Sequence, residues 1–353
     1  MFRYLTLLSL RHPSLMQADP CSAADVQSNM RVAIDHVPSK SSDGGIGADC
    51  YCDGTHVYPK TLPEDTRCTQ RLFVIPAARV RAYREQLRPY FPIDTPPTMC
   101  NVLAALVWTH VTRARADRLI QTGYTQTNMG IATDLRKRQQ PPVPAGYMGN
   151  MALFSRATRS LSDLTAEDRC VPSHHLRCRR AVPCVTRGLV ATSQALSIPE
   201  NATDMQGRVT RSTIIDVIRT IKSTILGVDN HWIARHLTFF KSIEQITDTE
   251  CALGLRFGAD IYITSWLNFG ADLRWGIPGT DLREKFLGGR PEFIRRSYGP
   301  GDGGMIFLPR RRHLSDDGIE APFEVLVRLA SEDMGRVLRE EGGLSSWADA
   351  VVE

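Results

Sequence analysis

The stretch TMCNVLAALVWTHVTRARA, residues 98–116, decides the fold class. Val102, Leu103, Leu106, Val107 and Val111 recur at helical spacing and make a broad apolar stripe, and Thr98 stands where a helix N-cap is expected. Upstream, RLFVIP (71–76) reads as a short strand and AARVRAYREQL (77–87) as a helix stopped by Pro89 and Pro92. Downstream, TNMGIATDLR (127–136) reads as a buried strand, followed by the Pro/Gly connection QQPPVPAGYMGN (139–150). A long helix set among strands on both sides points to an α/β or α+β fold.

The same reading extends to the C-terminal half. TRSTIIDVIRTIKSTIL (210–226) places Ile214, Ile218, Ile221 and Ile225 on one helix face. RFGADIYITSW (256–266) is expected as a strand. GMIFLPRRR (304–312) and APFEVLVRLA (321–330) are expected as a hairpin joined by the polar loop HLSDDGIE, and SEDMGRVLREE (331–341) as a helix capped by Ser331. Residues 1–67 are expected to be irregular apart from the helical-looking MFRYLTLLSL, which starts at Met1; the Cys/Arg-rich span 157–207 is expected to be irregular as well.

Composition bounds the function. The chain has 353 residues, is 42% hydrophobic and 23% charged, and carries a net charge of +5. This suits a globular protein of up to two domains and is compatible with an anionic small-molecule ligand. No Lys/Arg run with interleaved aromatics argues for nucleic acid. No stretch approaches the ~20 apolar residues of a membrane span, so no membrane partner is expected. The apolar N-terminus is broken by Arg3 and Arg11, which argues against a signal peptide. Nine cysteines, an odd count, fit reduced thiols and a cytoplasmic setting. Cys170, His174, His175, Cys178 and Cys184 could supply four zinc ligands, but their spacing matches no usual knuckle, so no metal is expected.

Four motifs in order then resemble the BAHD-type CoA-dependent acyltransferases, and most closely their fungal branch near the trichothecene O-acetyltransferases. They are the 98–115 helix with Trp108; the strand end with Asp134, Arg136 and Arg138, followed by Tyr147, Gly149 and Asn150; the strand end Thr264-Ser265-Trp266; and KFLGGRP, Lys285 to Pro291. In the last, Phe286, Gly289 and Pro291 match and Arg290 stands for a lysine, while other positions depart from the pattern. NFGADLRWG (268–276) is a rival placement; PEFIRR and GDGGMIFLP, which follow the first, favour it.

The resemblance implies a chloramphenicol-acetyltransferase-like two-domain α/β sandwich. Residues 68–156 and 208–345 would form the C-terminal acyltransferase domain, 157–207 an insertion and 1–67 a remnant of a first domain that is largely missing. It implies acyl transfer from an acyl-CoA, acetyl-CoA above all, to a small-molecule alcohol such as a fungal terpenoid or polyketide. Acyl-CoA would be a co-substrate with no bound cofactor, and the protein would act as a monomer. Thr264, Ser265 and Trp266 would line the acyl channel. Asp134, Arg136, Arg138, Phe286, Gly289, Arg290 and Pro291 would be structural.

The family's base is the histidine of H-x-x-x-D-G, which lies upstream of the Asp134 strand. Among nine histidines only His313 has an Asp four residues on, in HLSDDG. It falls in the tip of the expected hairpin, where Asp and Gly are ordinary turn formers. HLSDDG is therefore read as a turn, not a base. In the family a helix with aromatic and Leu residues often follows the catalytic motif, and MFRYLTLLSL resembles that helix. The family histidine is accordingly expected upstream of Met1, and no catalytic residue is assigned within the chain. The expectation is an N-terminally truncated member, inactive or poorly active as given, with a non-catalytic ligand- or partner-binding remnant as the alternative.

Overall fold

The computed structural model describes residues 50–52, 58–143, 151–166, 209–243, 249–275, 289–291, 293–296, 301–311 and 320–353. Met1 and the helix expected to start from it, Tyr147, Gly149, Asn150, Phe286, the zinc candidates and His313 lie outside these residues. The expectation of a family histidine upstream of Met1 therefore concerns a place that the described structure does not reach.

The strands, in chain order, are β1 (Tyr51–Cys52), β2 (Cys68–Ile75), β3 (Gln126–Asp134), β4 (Ala152–Ser160), β5 (Glu250–Cys251), β6 (Ile261–Ser265), β7 (Gly304–Phe307), β8 (Phe323–Ala330) and β9 (Ala350–Val352). The helices are α1 (Ala77–Leu87), α2 (Met99–Gln121), α3 (Leu161–Thr165), α4 (Arg211–Leu226), α5 (Asn230–Ser242), α6 (Ser331–Arg339) and α7 (Leu344–Trp347). Seven strands form one sheet in the order β4-β3-β6-β7-β8-β2-β9, and β1 and β5 make a separate two-stranded ladder. Within the large sheet β3–β6 and β6–β7 are parallel; the other pairs are antiparallel.

The opening stretch forms as its pattern predicts. Thr98 accepts a hydrogen bond from the Asn101 backbone N–H at 3.1 Å, and the Asn101 side chain accepts from the Thr98 N–H at 3.0 Å, closing a capping box. Every residue from Asn101 to Thr112 is buried, so α2 is a central helix, enclosed on all sides. Beneath it lie Phe73 and Ile75 of β2, Met129 and Ile131 of β3, Ile261 and Ile263 of β6, Met305 and Phe307 of β7, and alternate residues of β8. Over it pack Ile214, Ile215, Val217, Ile218 and Ile221 of α4. Helices α1, α2, α4, α6 and α7 thus share one face of the sheet. On the opposite face Trp266, Ile306, Leu308 and Leu326 form a smaller cluster. A third cluster, built from Tyr51, Leu135, Met151, Trp232 and Ile233, sits beyond the end of β3.

The β7–β8 hairpin register, Phe307 opposite Val325 and Gly304 opposite Arg328, follows the expected alternation. Three readings of local structure are corrected. β4 runs through residue 157, where the Cys/Arg-rich span was expected to begin, and α3 continues the ordered chain to Thr165; ALFSRATRS is polar on its outer positions, and pairing with β3 along its whole length outweighs its weak apolar signal. Residues 50–52 join the fold through β1, Tyr51 facing Cys251. Ser331 is the first residue of α6, not its cap: its hydroxyl donates to the Arg67 carbonyl at 3.0 Å and meets Thr69 Oγ1 at 2.7 Å.

Candidate active site

Two adjacent parallel pairs bring the C-terminal ends of β3, β6 and β7 to one edge of the sheet. Open sheets with parallel strands bind ligands at such an edge. Because α2 leads by a tight turn into β3, its N-terminus returns to this same edge. Asp134, Ser265 and Phe307 close the three strands there, with Cys100 and Met99 at the start of α2 and Leu267 and Ile225 as partly buried apolar neighbours of the core.

Thr264, Ser265 and Trp266 are brought to this edge but not to one face. Side chains alternate along a strand. Ser265 pairs in register with Phe307, which faces the helices, so Ser265 faces them too and stands exposed. Thr264 and Trp266 face the other way. The Trp266 ring is buried, 8% exposed, against Ile306, Leu308 and Leu326, and lies parallel to Phe269 with centroids 5.6 Å apart. Its backbone N–H donates to the Phe307 carbonyl at 2.8 Å, which prolongs the parallel ladder by one bond. Trp266 is thus held as a packing residue, while Ser265 presents its hydroxyl at the strand end. At the start of α2, burial pushes the Cys100 thiol up to about 11.

Asp134 accepts from the Arg136 backbone N–H and from Arg136 Nη1, both at 3.1 Å, in a turn-local pair that stands half in solvent. Arg138 reaches elsewhere: its Nη1 donates to the Ile225 and Val228 carbonyls at 2.8 and 3.2 Å, satisfying the last turn of α4. Arg138 therefore ties the segment after β3 to the end of α4, while Asp134 and Arg136 pair with each other. The two placements of the glycine-rich motif prove to be neighbours. The Trp275 N–H donates to the Gly289 carbonyl at 3.0 Å and Arg290 Nε donates to the Asp272 carbonyl at 3.0 Å; Arg311 Nη2 binds the Pro291 carbonyl at 2.9 Å. Gly289 has φ +74°, a conformation that favours glycine.

Three histidines fall among the described residues. His110 is buried in α2, with Nδ1 2.8 Å from Glu340 Oε2, and Arg113 Nε donates to the other carboxylate oxygen at 2.9 Å. Burial opposes ionisation of Glu340, but His110 and Arg113 together hold its pKa below the usual carboxylate range. His236 is buried, stacked on Trp232 at 3.6 Å, with Nδ1 bonded to the Trp232 carbonyl at 2.8 Å. His231 is exposed.

Sequence reading missed two groupings. One is the return of Cys100, at the start of α2, to the edge where Ser265 ends β6, since Cys100 reads only as a small position near a helix start. The other is a buried charge cluster at the opposite edge of the sheet. There Asp302, 3% exposed, accepts from the Ala330 and Phe257 N–H groups at 2.8 and 3.1 Å, with Arg115 and Arg118 within 4.0 Å. Arg118 also pairs with Asp333 at 2.8 Å, and Arg115 Nη2 donates to the Gly258 carbonyl at 2.6 Å.

Comparison with known proteins shows what the chain is similar to in sequence and fold. Residues 68–180 match the model of the Transferase family, and the match enters the span expected to be an insertion. A trichothecene 8-O-acetyltransferase of Fusarium sporotrichioides is 28% identical over 264 residues, 71% of this chain and 44% of that protein. Agmatine coumaroyltransferase-1 of Hordeum vulgare is 27% identical over 241 residues, 67% and 41% of the two chains. The chain thus spans less than half the length of these relatives. Among solved structures, F. graminearum TRI101, in complex with coenzyme A and deoxynivalenol, superposes with a TM-score of 0.59 at 14% identity, covering 94% of this chain and 60% of that one. In sequence and in fold, the chain resembles the BAHD-type acyltransferases of the Transferase family, with fungal O-acetyltransferases among its relatives.

Proposed function

We propose that this chain serves acyl transfer from an acyl-CoA, acetyl-CoA first, to a hydroxyl of a small fungal secondary metabolite such as a terpenoid or polyketide. The observation that carries the reading is the exposed Ser265 hydroxyl at the C-terminal edge of parallel strands, in a chain whose sequence and fold resemble O-acetyltransferases. The apolar neighbours Met99, Leu267 and Ile225 suit an apolar acceptor. In such a transfer the alcohol oxygen attacks the thioester carbonyl, giving up its proton to a base. The carbonyl oxygen takes up negative charge, and the C–S bond then breaks to release CoA as the thiol. An oxyanion of this kind is stabilised by a fixed donor, and Ser265 is the group proposed for it, with Trp266 and Thr264 shaping the strand end.

The base is not assigned to His110 or His236, whose rings are engaged by Glu340 and by the Trp232 carbonyl. Nor is it assigned to His313, whose sequence setting is that of a turn. Acyl-CoA is a co-substrate in this reading and no cofactor is bound. The protein works as a cytoplasmic monomer on small molecules, without nucleic acid or membrane; no helix among the described residues is long and apolar enough to cross a membrane, and Cys52, Cys68, Cys100 and Cys251 are free thiols.

Radiolabelled acetyl-CoA offered with a panel of terpenoid alcohols tests the reading. Acetylated product is expected; no general base is assigned among the described residues, and a transfer that lacked one would be slowed by a factor of ~10²–10⁴. His313→Ala should leave that rate unchanged. Loss of turnover in His313→Ala would reassign the base to His313, and failure to bind acetyl-CoA by calorimetry would contradict the reading as a whole.

A further inference from the structure

A cavity of about 360 Å³ opens to solvent between the single turn Arg88–Tyr90, which follows α1, and the first turns of α4. Tyr90, Arg211, Ser212, Ile215, Asp216 and Arg219 line it. Arg138 binds carbonyls at the far end of the same helix. From Ser212 to Ile225 the helix rises about 20 Å, so the cavity and the strand edge lie at opposite ends of α4.

The lining divides into apolar surface and charge. Ile215 is buried and forms the apolar base, while Tyr90 is 47% exposed and offers aromatic surface. One ion pair is internal: Asp216 Oδ1 accepts from Arg219 Nη1 at 3.1 Å. Arg219 Nη2 donates to the Tyr90 carbonyl at 3.1 Å, and its guanidinium lies over the Phe91 ring, 5.8 Å from the centroid. Arg219 is therefore held by its neighbours and neutralised. Arg211 is exposed and, among the described residues, forms no ion pair or side-chain hydrogen bond. Two arginines against one aspartate leave the lining with one positive charge in excess, carried by Arg211.

A guanidinium without a partner, beside aromatic and aliphatic surface, matches a carboxylate on a flat apolar body. The planar fork of arginine pairs with both oxygens of a carboxylate, and aromatic rings gain from offset stacking. Pockets of about this size, apolar with a few placed polar groups, suit small molecules. We propose that this cavity binds a small aromatic carboxylate, its ring against Tyr90 and Ile215 and its charge on Arg211. Asp216 in the lining disfavours a second negative charge, so the ligand class is a monoanion. The site shares no residue with the strand edge and does not depend on the acyl-transfer reading.

Fluorine NMR of fluorobenzoate titrated with the full chain tests it, with fluorobenzamide as an uncharged probe of the same shape. Fluorobenzoate should bind with a Kd of about 1 mM, as fits so small a ligand. Fluorobenzamide should bind about tenfold more weakly, for want of a charge-assisted hydrogen bond. Arg211→Ala should weaken fluorobenzoate to the level of the amide. Arg211→Lys, which keeps the charge without the planar fork, should recover part of the loss. Tyr90→Ala should weaken both probes alike. Both side chains are exposed, so each variant should keep the parental urea midpoint, which ties a loss of binding to the cavity. Equal affinity for the two probes, parental fluorobenzoate binding in Arg211→Ala, or no binding at about 10 mM, ten times the expected Kd, would overturn the proposal. Parental affinity in Tyr90→Ala would overturn the placement of the ring.

Discussion

The two edges of the central sheet are built to opposite specifications. At the N-terminal ends of β6 and β7, carboxylates are buried and fully engaged. Asp260 accepts from the Asn128 backbone and side chain at 2.8 and 2.9 Å and from the Gly254 N–H at 2.7 Å, while Asp302 is enclosed by Arg115, Arg118 and two backbone donors. Between them Arg256 and Phe257 hold φ +51° and +71°, a costly pair of left-handed residues without glycine's freedom. The loop stays in place because Asp302 takes the Phe257 N–H, Thr61 binds the Phe257 carbonyl, and Arg115 binds the Gly258 carbonyl. Gly258 itself admits no side chain, since a Cβ would stand 2.2 Å from the Gly254 carbonyl oxygen. At the C-terminal ends Ser265 is exposed, the Asp134–Arg136 pair is half in solvent, and Met99, Cys100, Leu267 and Ile225 are only partly covered. The difference is one of engagement: one edge uses its polar groups to hold the sheet, and the other leaves Ser265 and the Asp134–Arg136 pair open to solvent.

Mutation should separate the two edges. The largest effect is expected for Asp302→Ala, which leaves Arg115 buried without its carboxylate; about 3–5 kcal/mol of stability should be lost, read from the urea midpoint. An unchanged midpoint would erase the contrast. Trp108→Ala, in the fully buried middle of α2, should cost a similar ~3–5 kcal/mol, by the same melts. At the open edge Ser265→Ala should barely move the midpoint, within ~0.5 kcal/mol. It should nevertheless reduce acetyl transfer by a factor of about 10², as for the loss of an oxyanion donor. A variant that is destabilised but fully active would place Ser265 with the structural residues.

Smaller effects sharpen the picture. Glu340 has a depressed pKa in the folded chain, so its ionised form is favoured by folding. The stability it contributes is present above the ordinary carboxylate range and is lost as pH falls through the depressed value. Melts of Glu340→Gln and the parent should therefore differ at neutral pH and converge in acid; a constant difference would mean that the His110–Arg113 contacts do not depend on its charge. Arg136→Ala should change the midpoint by less than ~0.5 kcal/mol, because its pair with Asp134 is local and exposed. A loss of several kcal/mol there would show that the open edge, too, is held by charge.

Much of the fold was legible because its signals are local. The α2 cap lies in four consecutive residues, the α4 face in isoleucines at helical spacing, and the β7–β8 hairpin in alternation around a polar turn. β4 was not legible, since its outward residues are polar and its partner strand supplies the stability. α5 escaped for a related reason: NHWIARHLTFFKS mixes aromatic and polar residues and gains its burial from Tyr51 and Leu135, which lie far away in sequence. Of the site, the strand end Thr264–Trp266 could be read as a motif. Its division between two faces follows from strand parity and could have been read as well. What no local pattern contains is the meeting of Arg115 with Asp302, because it depends on register between elements far apart in the chain.

Amide hydrogen exchange of the full chain with and without acetyl-CoA tests the central claim most directly. The account predicts slowed exchange at residues 98–101 and 264–267 on adding acetyl-CoA, and no change at 254–260. Protection confined to 254–260, or none anywhere at saturating acetyl-CoA, would contradict it.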